Sequence, residues 1–437
     1  MSNYRMYWDE ELETMPRNKL KSYQFELLKK TIELACDKSP YYKKIFDEAD
    51  VTPSHLKSFD DLKKFPTIDK KVLRSRQQHV PDFGDLICAP EEDFVFLSAS
   101  SGSTGVPTAS PFTAQDFEDF QDCEARFFWS SGIRPTDRYC HALNFTLFVG
   151  GPDVIGAMKV GALTIWAGTI PSDRLLSIFQ TWRPTVTWTT PSYAWFLGET
   201  AKERGIDPAE LSIRKIFVAG EPGGSIPETK RSIEELWQAD VYDYYGLSDI
   251  FGACAAMCEA KDGLHWAEDH IFVEVVDPDT GEEVPEGQRG EMILTSLKKV
   301  ARPLIRFRTG DIVSYTTETC SCGRTHMRLH GIHGRLDDMM IIKGVNVFPS
   351  DIETIVRNNA KLTGEYVCVI SEEKHMAVLT VEVEKNDDFD GDSDVLVQEV
   401  QTECKKIIGI KPRVSVLPAK TLARETHKAK RVRDERK

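Results

Sequence analysis

Short apolar runs alternate with helix-like segments between residues 137 and 241, and this alternation limits the possible folds most. The apolar runs cover residues 162–166, 185–191 and 213–221, and the helix-like segments cover residues 173–182 and 229–237. Buried strands that alternate with helices form parallel sheets, because each crossover places a helix on a face of the sheet. We therefore expect an α/β fold with layers of helices on a parallel sheet.

Other segments predict further elements. Residues 18–46 form an amphipathic helix that is broken at Pro40, and residues 271–293 form a β-hairpin with an acidic, turn-rich middle. After Arg335 the chain alternates again between strand-like and helix-like segments, as in a small α+β unit. With 437 residues the chain is too long for one simple domain. We place the domain boundary beside the pair Asp337 and Asp338, which gives domains 1–335 and 336–437.

The net charge of −14 provides no broad basic surface for nucleic acid. The first residues are acidic where a secretory signal needs a cationic flank, and no apolar stretch is long enough to span a bilayer. We expect a cytoplasmic protein that binds neither nucleic acid nor membranes.

Residues 98–108, SASSGSTGVPT, combine glycines with a run of hydroxyl groups. Glycine lets the backbone bend tightly, so that hydroxyl and N–H donors converge as they do around a polyphosphate. No Gly-Lys-Ser/Thr closes the loop, which argues against the Walker pattern of P-loop enzymes. A Ser/Gly run is also typical of a surface linker, and the loop alone leaves both interpretations open.

Two later motifs carry polar groups at turns. In DYYGLSD, residues 243–249, a strand leads into a Gly turn. Asp249 follows this turn, and its carboxylate offers the hard oxygen ligands that Mg²⁺ prefers. In PLIRFRTGDIV, residues 303–313, Asp311 suits the two hydroxyls of a ribose, and Arg308 suits a phosphate or a carboxylate. Ordinary strand-to-turn and hairpin junctions remain the alternatives.

Cys320 and Cys322 flank one residue and precede a glycine, so a tight turn presents both thiols on one side, as in half of a structural zinc site. The candidates for the other half are Cys254, Cys258, His265 and His270. The alternative is a pair of buried free cysteines on a hairpin.

The order of these motifs is more specific than any one of them. The hydroxyl-rich loop, YGLSD, RTGD, GRLDD with KGVNVFPSDIE, and a C-terminal lysine follow one another over about 330 residues. This order resembles the adenylate-forming superfamily of acyl-CoA synthetases. Within it the chain resembles the phenylacetate-CoA ligase family, through SPYYKKIF, LHWAEDH at 264–270, CSCGRTHMRL at 320–329 and IIKGVNVFPSDIE at 341–353.

The resemblance implies a large N-terminal adenylation domain, with α/β layers and a β-rich subdomain, and a small mobile α+β C-terminal domain. ATP and a carboxylic acid would give an acyl-adenylate and pyrophosphate, and the thiol of coenzyme A would then displace AMP. The implied catalytic residues are Lys428, which bridges the carboxylate and the α-phosphate; Asp249, the Mg²⁺ ligand; Arg335, near the ribose and phosphate; and the hinge residue Asp337. The implied nucleotide-binding residues are Ser100, Ser101, Gly102, Ser103, Thr104, Gly105, Glu221, Tyr244, Tyr245, Gly246, Asp311, Arg335 and Lys343.

Three positions depart from the family pattern. Asp249 stands where the family usually has Glu, Val106 stands where its loop commonly has Lys, and His427 replaces the Gly before the catalytic lysine. The resemblance also favours Cys258 and His265 as the partners of Cys320 and Cys322 in a structural zinc site. It further implies a homodimer.

The acid would lie against residues 143–151 and 219–221, and the implied substrate contacts are Leu143, Asn144, Phe145, Phe148, Ala219 and Gly220. The two phenylalanines favour an aryl acid such as phenylacetate. Asn144 or Thr146 suits a substrate hydroxyl, so a short branched or hydroxylated aliphatic acid is an alternative. Two other functions stay open: an adenylyltransferase that stops at the AMP ester, and a non-catalytic binding protein stabilised by zinc.

Overall fold

A computed structural model describes residues 4–80, 82–100, 107–145, 150–342, 345–373, 376–424 and 431–436. The chain divides into two compact units. The first unit comprises Met1–Trp188, Tyr242–Thr309 and Val313–His330, and the second comprises Thr189–Val241, Gly310–Ile312 and Gly331–Lys437. The boundary between residues 335 and 336 stays a prediction.

The described residues form helices throughout the chain. The α-helices are α1 (Glu10–Glu13), α2 (Arg17–Lys38), α3 (Pro40–Glu48), α4 (Lys70–His79), α5 (Ala114–Ser130), α6 (Val154–Val160), α7 (Ser172–Trp182), α8 (Pro191–Glu203), α9 (Pro227–Trp237), α10 (Pro349–Arg357) and α11 (Ser393–Ile407). Short 3-10 helices cover Pro53–His55, Phe59–Lys64, Glu91–Asp93, Pro208–Glu210 and Pro222–Ser225. Among the described residues, no helix has both the length and the apolar content needed to cross a lipid bilayer.

Strands occur in both units. They are β1 (Phe94–Ser100), β2 (Thr108–Thr113), β3 (Arg138–His141), β4 (Leu163–Trp166), β5 (Val186–Thr189), β6 (Lys215–Val218), β7 (Asp240–Leu247), β8 (Phe251–Met257), β9 (Leu264–Trp266), β10 (Ile271–Val276), β11 (Gly290–Ser296), β12 (Phe307–Thr316), β13 (Arg328–Arg335), β14 (Met340–Ile342), β15 (Val345–Val347), β16 (Leu362–Glu373), β17 (Met376–Lys385), β18 (Arg413–Leu417) and β19 (Val432–Asp434).

The N-terminal helices α2 and α3 follow the predicted pattern. Leu28 and Ile32 lie on the buried face of α2, four residues apart as one helical face requires. The helix ends before Pro40, and Ser39 then caps α3 by accepting a hydrogen bond from the backbone N–H of Tyr42 at 3.2 Å. The predicted break at Pro40 is confirmed, because proline is favoured in the first turn of a helix and not in its interior.

The parallel sheet predicted from the alternation is present in the first unit. Strand β3 pairs in parallel with β4 on one side and with β5 on the other, so that Cys140 lies opposite both Ile165 and Thr187. Helix α6 connects β3 to β4, and α7 connects β4 to β5, as parallel neighbours require. The predicted α/β arrangement of this segment is confirmed.

Seven further strands are hydrogen-bonded in the order β10-β11-β12-β13-β9-β8-β7, and the pairs β10–β11, β13–β9, β9–β8 and β8–β7 are antiparallel. Strands β10 and β11 form the predicted hairpin, with Ile271 opposite Ser296. The predicted turn at Gly246 is wrong, because β7 continues through Gly246 to Leu247. A Cβ at Gly246 would lie 1.9 Å from the carbonyl oxygen of Gly252, so glycine allows β7 and β8 to approach each other closely.

The second unit contains the small α+β region expected after Arg335. Its sheet has the strand order β18-β17-β16-β19, and α10 and α11 contribute to the same core. The core contains apolar side chains that are fully shielded from solvent, among them Val347, Ile352, Val381 and Leu396.

Candidate functional site

The ends of β1 and β2 form the two stems of the predicted phosphate loop. Ser100, at the end of β1, lies opposite Thr108, at the start of β2. Their side-chain oxygens are both buried and have no hydrogen-bond partner among the described residues. The predicted phosphate-binding residues Ser101, Gly102, Ser103, Thr104 and Gly105, together with Val106, lie outside the described residues. The stems thus hold two unused hydroxyl groups where the sequence predicts phosphate contacts.

These stems also hold the YGLSD segment. The hydroxyl of Ser98 donates to the backbone oxygen of Ser248 at 3.0 Å, and that of Ser110 donates to the backbone oxygen of Asp249 at 3.2 Å. Two motifs that lie about 150 residues apart in sequence are therefore joined in the first unit, next to the carboxylate predicted to bind Mg²⁺.

The Asp249 carboxylate is buried and surrounded by cations. Its oxygens lie 3.6 Å from Nζ of Lys70 and 3.7 Å from Nη2 of Arg302, and its Oδ1 has no hydrogen-bond partner among the described residues. Nζ of Lys299 donates to the hydroxyl of Ser110 at 2.6 Å, and burial lowers the pKa of this lysine. The sequence interpretation missed all three cations, because they become neighbours of Asp249 only in the fold.

Aromatic residues predicted to line the acyl and adenine sites belong to the first unit. The hydroxyl of Tyr244 is 2.6 Å from that of Ser131, and its ring lies 4.6 Å from the ring of Trp188. The ring of Tyr245 lies 6.0 Å from that of Trp266. Phe145, which is half-buried like Leu143 and Asn144, stacks on Trp166. Thr146 and Phe148 lie outside the described residues.

Two buried carboxyl groups, Glu124 and Asp153, lie beside these aromatic residues and were not predicted. The backbone N–H of Ala253 donates to Oε1 of Glu124, and a Cβ on Gly252 would lie 2.3 Å from Oδ1 of Asp153, so both acids face adjacent residues of β8. Burial, and for Glu124 also the nearby Asp153, raises the pKa of each carboxyl well above its usual value. The available sequence signal was that Glu124 lies four residues after Phe120 and three before Phe127, on a helical face shared with apolar residues.

We expect Glu124→Gln to stabilise the protein at neutral pH. Because the folded pKa values of Glu124 and Asp153 are raised, the folded state retains protons that the unfolded state has lost. The free energy of unfolding therefore falls as the pH rises above the usual carboxyl values of 4.5 and 3.8, by about 1.4 kcal/mol for each pH unit until the folded pKa is reached. Gln removes one ionisable group and keeps an acceptor for Ala253.

Urea unfolding between pH 4 and pH 8 measures this effect. The stability gain of Glu124→Gln should be largest at pH 8 and should vanish near pH 4. Glu118→Gln, on the exposed side of the same helix, is the control, since its surface ion pair with Lys159 contributes less than about 1 kcal/mol. A gain that does not depend on pH would contradict the prediction.

Asp311, Arg335 and Asp337 form one group in the second unit. Nη1 of Arg335 donates to the buried carboxylate of Asp311 at 3.0 Å, and its Nε donates to the exposed carboxylate of Asp337 at 2.8 Å. Gly310 has a φ of +75°, a conformation that favours glycine, and it lies within β12 and not in a hairpin turn. The structure thus brings together the predicted ribose ligand, the predicted phosphate neighbour and the predicted hinge residue.

The other predicted residues of the second unit lie after β6. The carboxylate of Glu221 accepts a hydrogen bond from the backbone N–H of Ser192 at 2.6 Å, Ala219 bonds through its N–H to Thr189, and Gly220 has a φ of +90°. Lys343, His427 and Lys428 lie outside the described residues. In the first unit, Arg308 pairs with Glu291, so it already has a carboxylate partner within the chain.

Cys258, His265, Cys320 and Cys322 come together in the first unit, with their ligand atoms within 4.8 Å of one another. Sγ of Cys258 is 3.9 Å from Sγ of Cys320, and Sγ of Cys322 is 3.4 Å from Nε2 of His265. The predicted tight turn is present, since the N–H of Gly323 bonds to the backbone oxygen of Cys320 at 2.8 Å. Hydrogen bonds with Cys258 and then His265 lower the pKa of Cys322. Neither Cys254 nor His270 belongs to this group.

Comparisons with known proteins agree with this architecture. Residues 31–302 match the AMP-binding enzyme family, and residues 344–436 match the AMP-binding enzyme C-terminal domain. The chain is 34% identical to a phenylacetate-coenzyme A ligase of Thermus thermophilus over 99% of this chain and 100% of that protein. It is 35% identical to a phenylacetate-coenzyme A ligase of Aromatoleum evansii, over 98% of this chain and 97% of that one.

A solved structure is similar over the whole chain. The crystal structure of 2-hydroxyisobutyryl-CoA ligase in complex with 2-HIB-AMP, in its postadenylation state, is 32% identical and has a TM-score of 0.94, covering 100% of this chain and 94% of that one. The matches confirm the predicted adenylate-forming fold and the predicted enzyme class, an ATP-dependent, AMP-forming acid–CoA ligase. The chain belongs to the phenylacetate-CoA ligase family of AMP-binding enzymes.

Proposed function

We propose that this ligase converts an aryl carboxylic acid such as phenylacetate to its CoA thioester through an acyl-adenylate. The observation that carries the proposal is the junction of the two loop stems with the YGLSD segment, where unused hydroxyl groups and the Asp249 carboxylate lie together in the first unit. Such a cluster suits a polyphosphate with its metal ion. The near full-length similarity to phenylacetate-coenzyme A ligases supports the aryl acid.

Each part of the reaction has candidate residues. Ser100 and Thr108 orient the polyphosphate, while Asp311 accepts hydrogen bonds from the ribose hydroxyls beside Arg335. Asp249 would hold Mg²⁺, and its buried Oδ1, which lacks a hydrogen-bond partner among the described residues, fits that role. When bound, Mg²⁺ supplies positive charge to the phosphate oxygens. Catalysis of this kind depends on positioning and charge neutralisation more than on covalent chemistry by the protein.

The aromatic side chains of the first unit support an aryl substrate. Phe145, Trp166, Trp188 and Tyr244 offer flat apolar faces, and aromatic rings favour offset-stacked or edge-to-face contacts with a phenyl group. We also keep a short hydroxylated acid as a second candidate. Nε2 of His141 is buried without a hydrogen-bond partner among the described residues, and it suits a substrate hydroxyl.

A pyrophosphate-release assay tests both substrates. We expect phenylacetate to release pyrophosphate and, with coenzyme A present, to give AMP and phenylacetyl-CoA. The matched acids are benzoate, 2-hydroxyisobutyrate and isobutyrate. Faster pyrophosphate release with 2-hydroxyisobutyrate than with both isobutyrate and phenylacetate would favour the hydroxyl-binding candidate and contradict the aryl acid.

The assay also separates the other functions. Adenylation without thioester formation in the presence of coenzyme A would identify an adenylyltransferase. A purified chain that binds no ATP and releases no pyrophosphate with any acid would support a non-catalytic binding protein. The homodimer and the cytoplasmic location remain predictions from the sequence.

We also propose that Cys258, His265, Cys320 and Cys322 hold a structural zinc ion. Three thiols and one imidazole are a frequent ligand set for closed tetrahedral zinc sites. Two sulfurs bound to one tetrahedral zinc lie about 3.8 Å apart at the usual Zn–S distance, close to the observed 3.9 Å between Cys258 and Cys320. With four protein ligands, no position remains for a substrate, so the ion would stabilise the fold.

A further inference from the structure

We propose that helix α4 supplies cations to the ATP polyphosphate, with Lys70 as the principal phosphate ligand and Arg74 one turn further along. The helix would thereby take over the role of the lysine that the family loop commonly carries where this chain has Val106. The inference rests on the proposed function and identifies which residues of this chain bind the terminal phosphates.

Lys70 lies beside the predicted metal ligand. Its Nζ is 3.6 Å from Oδ2 of Asp249, which is too long for a normal hydrogen bond, so none of its three N–H donors is committed to this carboxylate. A third of the Lys70 side chain is exposed, while only 4% of the Asp249 side chain is. Lys70 therefore lies close enough to offset the negative charge of Asp249, and its side chain is also accessible from solvent.

The other two cations near Asp249 are already engaged. Arg302 donates to the backbone oxygens of Ala109 and Asp249, and Lys299 donates to the hydroxyl of Ser110 and the backbone oxygen of Ile250. Both side chains are buried and support the loop stems from within. Among the described cations that approach the Asp249 carboxylate, Lys70 has the most exposed side chain.

Helix α4 is fixed to the loop at a second point. The side-chain amide of Gln77 donates to the backbone oxygen of Pro107 at 3.1 Å and accepts from the N–H of Ala109 at 2.9 Å. These residues border the predicted phosphate loop on its C-terminal side. Lys70 and Gln77 are seven residues apart, two helical turns, so one face of α4 spans the distance from Asp249 to the loop stem.

Arg74 lies on the same face, four residues after Lys70 and three before Gln77. Its Nε is buried and has no hydrogen-bond partner among the described residues. A buried guanidinium N–H without an acceptor is unfavourable, and a phosphate oxygen would provide a strong charged acceptor. Together with the unused hydroxyls of Ser100 and Thr108, this face offers donors to a polyphosphate from two sides.

Calorimetry of ATP and AMP binding to the full-length protein tests the proposal. Lys70→Met should weaken ATP binding about 10- to 100-fold, the range expected for the loss of one hydrogen bond to a charged group. It should leave AMP binding unchanged, because AMP has no β- or γ-phosphate. Lys70→Arg should restore most of the ATP affinity. Lys71→Met, at the exposed neighbouring position, is the matched control and should bind both nucleotides like the wild type.

Three outcomes overturn the proposal. The first is an unchanged ATP affinity in Lys70→Met, and the second is an equal loss of ATP and AMP affinity in that variant, which indicates a distorted site. The third is a loss of ATP affinity in Lys71→Met as large as that in Lys70→Met. Circular dichroism of each variant confirms that it is folded. If the wild type binds no ATP, the proposed function itself fails. If the wild type binds ATP and Lys70→Met binds it equally well, only the role of helix α4 fails.

Discussion

Cys322→Ser is expected to lose zinc and to lower the free energy of unfolding by about 4 kcal/mol or more, the range associated with loss of a structural metal. Cys322 comes from the turn after β12, while Cys258 and His265 lie at the end of β8 and in β9. One ion bound to all four side chains would thus connect segments that are about 60 residues apart in sequence. Elemental analysis and urea unfolding measure the two effects.

Two further cysteine variants serve as controls. Cys36→Ser changes a partly exposed cysteine on α2, and it should keep about one zinc per chain and nearly wild-type stability. Cys254→Ser tests the alternative ligand considered from the sequence; it should also keep its zinc, since Cys254 is not in the cluster. Zinc near zero in the wild type purified without chelator, or zinc retained by Cys322→Ser, contradicts the proposed site.

Locally encoded features were well predicted from the sequence. The end of α2 follows from Pro40, and the parallel strands β3, β4 and β5 follow from short apolar runs separated by helices. Cys320 and Cys322 lie in one tight turn, as their spacing and the glycine after them indicate. In each case neighbouring residues determine the outcome, so a single sequence carries the necessary information.

Features that depend on distant partners were not predicted. Lys70 reaches Asp249 from a position 179 residues earlier in the chain, and nothing near Lys70 in sequence indicates this contact. Glu124 is buried against β8, although an acid on a helix is usually exposed. Gly246 suggests a turn by its residue type, yet here it pairs with Ala253 and lets β7 lie close to the backbone of Gly252, which only the tertiary structure reveals.

Lys428→Ala is expected to reduce adenylation about 10²- to 10³-fold, the cost of removing one electrostatic stabiliser of a transition state. Lys428 lies outside the described residues, and its catalytic role is a prediction from the family resemblance. The lysine would bridge the substrate carboxylate and the α-phosphate as charge builds up there. ATP–pyrophosphate exchange measures this half-reaction. Thioester formation from supplied acyl-adenylate and coenzyme A should remain close to wild type, because the bridge is no longer needed once the adenylate exists.

Lys430→Ala is the matched control, since it removes the same charge two residues away in the same basic segment. If both lysines act only through general attraction of ATP, the two variants should lose activity equally, and the loss should fall with added salt. A positioned lysine predicts a different result, in which only Lys428→Ala loses exchange activity and salt does not remove the difference. Unchanged exchange in Lys428→Ala would place the catalytic cation elsewhere. Lys70 would not fill that role, because the cation on helix α4 is assigned to the terminal phosphates, which leave as pyrophosphate.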